Sequence, residues 1–127
     1  MAGSPAAAEP DLVRLVYVSV ATRPLGPEEL EAIAAAARRN NPPRGLTGLL
    51  LYGGGRFYGL LEGTERRVLG RMERIVADPR HKAIRVLRED PIRARRFAEW
   101  SFGPLPLTAG GEEDLAALDR FLVSVRR

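Results

Sequence analysis

The stretch Leu46 to Gly63, LTGLLLYGGGRFYGLLEG, decides the fold of this chain. An apolar run meets three consecutive glycines and is followed by a second short run, a pattern that predicts a β-hairpin. Gly59 lies in the middle of the second predicted strand. A glycine there weakens the strand and offers no side chain, so it marks a close approach of backbone or ligand, or the loss of a functional group.

Regular elements are predicted on both sides of the hairpin. Residues 12–20, LVRLVYVSV, are nearly all apolar and β-branched, which is typical of a strand covered on both faces. Pro27 opens a helix that the NNPP segment of residues 40–43 ends. Thr64 is the predicted N-cap of a second helix. This second helix extends to residue 77. Strands over residues 83–88 and 98–102 and an amphipathic helix over 112–127 complete the predicted elements.

The element order β-α-β-β-α-β-β-α predicts an α+β domain with a ferredoxin-like βαββαββ sheet. Two helices cover one face of this sheet, and the C-terminal helix covers the other, in its own subunit or against a partner. We therefore expect three segments: a flexible N-terminal leader over residues 1–11, the domain itself over 12–103, and a loop with the C-terminal amphipathic helix over 104–127.

Composition excludes several classes of protein. The 127 residues suffice for one domain, and the absence of cysteine excludes disulfides and thiolate sites. The single histidine, His81, excludes a multi-histidine metal site. No apolar stretch reaches the length of a membrane span, and the N-terminus lacks the features of a signal peptide, so we expect a cytoplasmic protein. The net charge is +4, but the arginines are scattered among acids without aromatic residues between them, which disfavours nucleic acid as a partner.

Catalysis by the chain's own side chains is not predicted. No nucleophile–base pair stands out, and Glu62 and Glu99 are isolated acids in the sequence. What remains is a group of aromatic, amide and basic residues on or near one face of the predicted sheet: Tyr17, Asn40, Asn41, Arg80, His81 and Trp100.

In order and spacing, these residues resemble the BLUF family of flavin-based blue-light sensors. The resemblance covers about Leu12 to Gly103. It runs through the segments LVYVS, RNN, GLTGLLLY, RFYGLLEG, DPRH, RRF and WSFG. Each segment alone is weak evidence, whereas all of them in this order on this topology are specific.

The resemblance implies that the isoalloxazine ring of FAD, or of FMN, lies between the two helices. Tyr17 would then occupy the position of the tyrosine that donates an electron to the excited flavin. Asn41 and Asn40 would hold the polar edge of the flavin, for which amide donors and acceptors are suited. Arg80 and His81 would lie near other polar groups of the ring, and Trp100 matches the tryptophan that many members have near the site.

Each of these residues also has an ordinary structural explanation, which the sequence leaves open. Tyr17 and Trp100 fit core packing. Asn40 and Asn41 fit the end of a helix. The Arg80-His81 pair fits a solvated turn.

Two positions depart from the family pattern. The family's usual glutamine, whose amide bridges the tyrosine and the flavin and rearranges under light, falls on Gly59. The usual methionine is Phe102. We expect the space beside Gly59 to be a gap that a water can fill, and we expect the light switch to be lost.

The sequence therefore predicts a short, stand-alone BLUF-type flavin-binding module of blue-light signalling ancestry without the usual photocycle. The alternative is a light-insensitive interaction module that keeps the fold and binds no flavin. Because no effector domain follows residue 127, we expect output through an unidentified protein partner or through a homo-oligomer.

Overall fold

A computed structural model describes residues 11–104 as five strands and two α-helices in the order β-α-β-β-α-β-β. Within this range the elements are strand β1 (Leu12–Ala21), helix α1 (Pro27–Asn40), a 3-10 turn (Pro42–Arg44), strands β2 (Thr47–Gly53) and β3 (Arg56–Thr64), helix α2 (Glu65–Ala77), and strands β4 (His81–Pro91) and β5 (Trp100–Pro104). The predicted C-terminal helix and all of the predicted leader except Asp11 lie outside the described residues. Asp11 already belongs to the fold, because its carbonyl accepts a hydrogen bond from the backbone N–H of Glu65 at 2.8 Å.

The described strands form one mixed sheet in the order β4-β1-β3-β2-β5. β1 pairs with β3 and with β4 in antiparallel fashion, and β2 pairs with β3 in the same way. β5 joins the edge parallel to β2. The predicted α+β class and the predicted five-stranded sheet are confirmed.

The predicted hairpin is present and turns on two residues. Gly53 pairs with Arg56, so that Gly54 and Gly55 form the loop, with φ of 61° and 75°. A two-residue hairpin loop favours positive φ at both positions, because this backbone twist matches that of the strands, and glycine adopts it without strain. The triple glycine thus sets the register of β2 against β3.

Both helices pack on one face of the sheet. The core on that side is built from alternate residues of the central strands together with apolar residues of α1 and α2, as the 2-residue and 3.6-residue periods of strand and helix require. Its central members are Leu15, Tyr17, Leu61, Val68 and Met72, with Ile33 and Ala37 of α1 packed against them. The opposite face carries a second cluster of Val16, Val18, Leu49, Tyr58 and Leu60, against which Phe97 packs.

The α2 N-terminus follows its sequence signal. Thr64 has an extended backbone, and its hydroxyl oxygen accepts a hydrogen bond from the backbone N–H of Arg67 at 3.4 Å. This side-chain bond satisfies one of the four N–H groups that a helix start leaves unpaired. The prediction that Thr64 caps this helix is confirmed.

β4 is longer and less regular than predicted. It begins at His81, whereas the sequence predicted a start at residue 83. Its register against β1 shifts twice, and Ala83 takes a left-handed φ of 55° at one of these irregularities. A bulge of this kind bends a strand and redirects its side chains. This one lies two residues after His81, the first residue of β4.

Glu62 is the buried charge on which the arrangement of the sheet edge depends. Its carboxylate is fully buried and accepts a hydrogen bond from Arg14 Nε at 2.8 Å. It also accepts from the backbone N–H groups of Arg96 and Phe97 at 2.9 Å each. The connection from β4 to β5 is thereby tied to the middle of the sheet. Sequence alone classed Glu62 as an isolated acid because its partners lie 34 or more positions away along the chain.

Glu62→Ala is expected to reduce the free energy of unfolding by about 3–5 kcal/mol, because it leaves the Arg14 charge buried without a partner. Urea titration followed by circular dichroism measures this. Glu89→Gln, an exposed acid on β4, is the control and should change stability by less than about 0.5 kcal/mol. Equal, small effects of the two substitutions would show that the Glu62 contacts do not hold the edge in place.

Candidate functional site

A cavity of about 150 Å³ lies on the helix-covered side of the sheet, between α1 and α2. We call it the slot. β1 contributes Tyr17 from its middle, and the end of α1 contributes Asn40 and Asn41. Its lining thus includes all six of the polar and aromatic residues that the sequence singled out: Tyr17, Asn40, Asn41, Arg80, His81 and Trp100. The fold therefore brings together residues that are up to 83 positions apart.

Three polar atoms at the slot are buried and have no hydrogen-bond partner within the described residues. They are Asn41 Oδ1, Trp100 Nε1 and Arg71 Nε. Asn41 is only 3% exposed. Leaving such groups unpaired costs about 1–3 kcal/mol each. One acceptor and two donors thus converge on the slot without protein partners, as in a site made for a polar ligand.

Tyr17 and Gly59 face each other across β1 and β3. A Cβ atom built on Gly59 would lie 2.2 Å from Cε2, 2.4 Å from Cζ and 2.7 Å from the hydroxyl oxygen of Tyr17. The tyrosine ring therefore rests directly on the glycine backbone. The expectation that position 59 borders a gap for a water was wrong, because the ring occupies that space.

The Tyr17 hydroxyl stays protonated over a wide range of pH. Burial raises the pKa of this phenol well above its usual value of 10.0, and the nearby Arg71 guanidinium only partly opposes this increase. The neutral phenol can therefore both donate and accept a hydrogen bond.

His81 has both ring nitrogens engaged inside the protein. Nε2 lies 2.5 Å from the carbonyl oxygen of Ile75, and Nδ1 lies 2.7 Å from the hydroxyl of Ser19. Because a carbonyl can only accept, Nε2 must carry the proton, and in the neutral ring Nδ1 then accepts from Ser19. His81 therefore fixes the end of α2 against β1.

Arg80 and Phe102 contribute differently from the other predicted residues. The Arg80 guanidinium is held by Asp78, with Nη2 at 2.6 Å from a carboxylate oxygen, and this partner lowers the pKa of the Asp78 carboxyl. Phe102 is paired with Leu50 between β5 and β2 and packs at the edge of the helix-side core. Phe102 is not among the residues that line the slot.

Sequence reasoning missed Arg71 as a slot residue. The sequence shows Arg71 only as one of several scattered arginines, yet it is half-buried and lines the slot. Arg71 precedes the buried Met72 and therefore lies at the boundary between the core face and the solvent face of the helix. The helical period of apolar residues does not show on which side of that boundary a single residue falls.

Known proteins share this fold. Residues 12–103 match the family described as sensors of blue light using FAD. The chain belongs to the BLUF family. It is 39% identical over 106 residues to the photoactivated adenylate cyclase subunit beta of Euglena longa, a match covering 83% of this chain and 12% of that protein. The chain thus spans about an eighth of the length of this curated relative.

Solved structures agree with this assignment. The dark-state structure of BlrB, a BLUF protein, superposes with a TM-score of 0.73 at 33% identity and covers 91% of this chain and 98% of that one. BlrP1 of Klebsiella pneumoniae, in a structure with FMN and cyclic diGMP, gives a TM-score of 0.72 at 30% identity over 89% of this chain and 35% of that one. BLUF domains bind flavin.

The polar groups that line the slot are complementary to those of a flavin. The polar edge of isoalloxazine presents an N–H donor between two carbonyl acceptors, which complements the free Asn41 Oδ1 and the free donors of Trp100 and Arg71. The flat, largely apolar walls suit an aromatic ring system. No helix within residues 11–104 is long and apolar enough to span a membrane, and this range contains no cluster of three His, Cys, Asp or Glu residues that could hold a metal ion.

Gly59→Ala is expected to reduce the free energy of unfolding by about 1–3 kcal/mol, because the new methyl group overlaps the Tyr17 ring. Thermal and urea unfolding of Gly59→Ala, of Tyr17→Ala and of the double variant form a cycle that isolates the contact. In the Tyr17→Ala background, Gly59→Ala should cause little further decrease in the free energy of unfolding.

The control for this cycle is Gly70→Ala. A Cβ atom there meets nothing within 4 Å, so alanine should stabilise the interior of α2 by about 0.5–1 kcal/mol. If Gly59→Ala were equally harmful with and without the tyrosine ring, the contact would not be the reason for glycine at this position.

Proposed function

We propose that this chain is a BLUF module that binds FAD or FMN in the slot and lacks the family's light-driven amide switch. The contact between Tyr17 and Gly59 supports the absence of the amide switch. The switch needs a side-chain amide between the tyrosine hydroxyl and the flavin. Gly59 has no side chain, and the Tyr17 ring fills the space where one would begin.

The residues that line the slot support the proposed binding of a flavin. The Asn41 amide presents an acceptor and donors on one rigid group, as the polar edge of a flavin requires. Trp100 Nε1 adds a donor from the opposite wall, at the start of β5. Bound flavin supplies absorption of blue light, while Tyr17 keeps its proton and the two helices keep water away from the ring.

The neighbouring tyrosine at position 58 is not placed to replace the missing amide. Tyr58, the neighbour of Gly59, is fully buried in the cluster on the opposite face of the sheet. Because successive strand residues point to opposite faces, Tyr58 cannot reach the slot without a change of register. The slot therefore retains the tyrosine of the family pattern without its bridging partner.

A second candidate function is an interaction module that binds no flavin. The observation that favours it is the size of the slot, since about 150 Å³ is below the roughly 300–1,000 Å³ typical of ligand sites. Flavin binding would then require α1 and α2 to separate. The visible absorption of the purified protein distinguishes the two functions, because bound flavin is yellow and the polypeptide is colourless.

We propose that any output passes through a partner protein or a second copy of the chain, with no enzymatic activity of the chain itself. In the photoactivated cyclases and in BlrP1 the matched segment is a minor part of a longer polypeptide, which supports a role in controlling other domains. Light scattering of the purified chain, with and without flavin, tests self-association, and a monomer in both states would leave only the partner protein.

Addition of FAD or FMN is expected to quench the fluorescence of Trp100, the only tryptophan of the chain. Asn41→Ala should weaken binding by about 1–3 kcal/mol, because the polar edge of the flavin loses its partner. The matched control is Arg39→Ala, an exposed residue near the end of the same helix, which should bind as the unaltered chain does. Absence of quenching with either flavin would contradict the binding proposal.

Blue illumination of the flavin-loaded protein is expected to give no reversible red shift of the flavin absorption, because no amide can exchange hydrogen bonds between Tyr17 and the flavin. Difference spectra recorded before, during and after illumination measure this. Gly59→Gln is the informative variant, since it returns an amide to the site if the Tyr17 ring moves aside. A clear reversible red shift in the unaltered chain would disprove the loss of the switch.

A further inference from the structure

Arg95 joins three segments of the chain from the connection between β4 and β5, which covers residues 92–99 and contains neither strand nor helix. Its Nη1 donates to the hydroxyl oxygen of Thr47 at 2.8 Å and to the carbonyl oxygen of Glu62 at 3.2 Å. Its Nη2 donates to the carbonyl oxygen of Gly45 at 2.9 Å. Because the planar guanidinium presents several N–H donors in a fixed arrangement, this one side chain holds the start of β2, the end of β3 and the turn before β2 together.

The Gly45 carbonyl lies at the end of a closed turn that begins at Asn41. The carbonyl oxygen of Asn41 accepts hydrogen bonds from the backbone N–H groups of Arg44 and Leu46, at 3.0 Å each. The N–H of Gly45 donates to the carbonyl of Pro42 at 2.9 Å, and its φ of 73° is one that glycine adopts without strain. Because these bonds fix the shape of the turn, the hydrogen bond that Gly45 receives from the connection also fixes the backbone that carries the Asn41 side chain.

The same connection leads directly into Trp100, the first residue of β5. The two residues after Arg95 donate their backbone N–H groups to the buried carboxylate of Glu62. The carbonyl of Glu99 then accepts from the N–H of Gly48 at 3.1 Å, and Trp100 is paired with Gly48 across β5 and β2. Arg95 therefore begins the anchored stretch that ends at Trp100, so its hydrogen bonds also limit where the indole can lie.

Arg95 thus connects the backbones of two slot residues without lining the slot itself. Asn41 Oδ1 and Trp100 Nε1 are both buried and have no hydrogen-bond partner within residues 11–104. Both residues line the slot, whereas Arg95 is not among its lining residues. One ligand can satisfy both atoms only if their separation matches that of its own polar groups. We propose that Arg95 is a positioning residue that fixes the Asn41 amide and the Trp100 indole relative to each other. For a flavin as the ligand, this inference rests on the proposed function.

A cycle of variants tests whether Arg95 acts through the Asn41 amide. FMN binding is measured by quenching of Trp100 fluorescence, at a temperature at which circular dichroism shows every variant folded. Arg95→Gln should weaken binding about tenfold, comparable to the loss of one hydrogen bond to the ligand. In the Asn41→Ala background the same substitution should weaken binding less than about threefold, because the amide that it misplaces is already absent. An equal loss in both backgrounds, or no loss in either, would overturn the proposal.

Arg93→Gln is the matched control, because it removes the same charge from an exposed position of the same connection. This variant should bind FMN as the unaltered chain does. Arg95→Lys keeps the charge but replaces the planar fork by one ammonium group, so it should bind as weakly as Arg95→Gln. Thr47→Val removes one acceptor of Arg95 and keeps the arginine, and it should weaken binding about threefold. Binding of Arg95→Lys at the strength of the unaltered chain would show that charge alone matters and would overturn the proposal.

The protein without added flavin provides a second measurement. Trp100 is the only tryptophan of the chain, so its emission maximum and its quenching by acrylamide report how closely the indole is held. Arg95→Gln should shift the emission to longer wavelength and increase the quenching, and Arg93→Gln should do neither. If this difference is seen and neither FMN nor FAD binds the unaltered chain, the positioning role stands and the proposed flavin function fails. If FMN binds the unaltered chain and Arg95→Gln alike and the emission does not change, the positioning role is overturned and the flavin function remains.

Discussion

The buried carboxylate of Glu62 holds the candidate site together from the far side of the sheet. It binds Arg14 of β1 and the backbone N–H groups of residues 96 and 97 at once. The chain leaving β4 is thereby brought back across the sheet edge, so that β5 pairs with β2 and its first residue, Trp100, enters the slot. An ion pair on one side of the sheet thus helps to position Trp100, which lines the slot on the other side.

The slot combines unpaired polar groups with a position, Gly59, that contributes no side chain. Asn41 Oδ1 and Trp100 Nε1 are buried without a hydrogen-bond partner within the described residues, and a ligand with complementary groups would satisfy both. The Tyr17 ring packed on Gly59 is, by contrast, a close contact that stabilises the sheet. The unpaired polar atoms and the Tyr17–Gly59 contact therefore involve different residues of the same cavity.

Much of the fold could be predicted from local patterns. The hairpin glycines, the Thr64 cap and the proline-terminated α1 each act within a few residues, so that their signals are contiguous in the sequence. The six residues that the sequence singled out all line one cavity, while their roles toward a flavin stay predictions. The partners of Glu62, the bulge at Ala83 and the entry of Arg71 into the slot could not be predicted, since each depends on the approach of distant segments. The same is true of the Tyr17 ring, whose position follows from strand register and from a rotamer that only the neighbouring glycine permits.

The contact between Tyr17 and Gly59 also limits the routes by which such a sequence can change. With the ring resting on the glycine backbone, introducing a long side chain at position 59 in one step creates an overlap, whereas first shrinking the tyrosine removes a phenol that lines the slot. Substitutions at positions 59 and 17 therefore depend on each other. Descendants of this chain would be expected to keep the glycine for as long as they keep the tyrosine in this place, even without selection for the glycine itself.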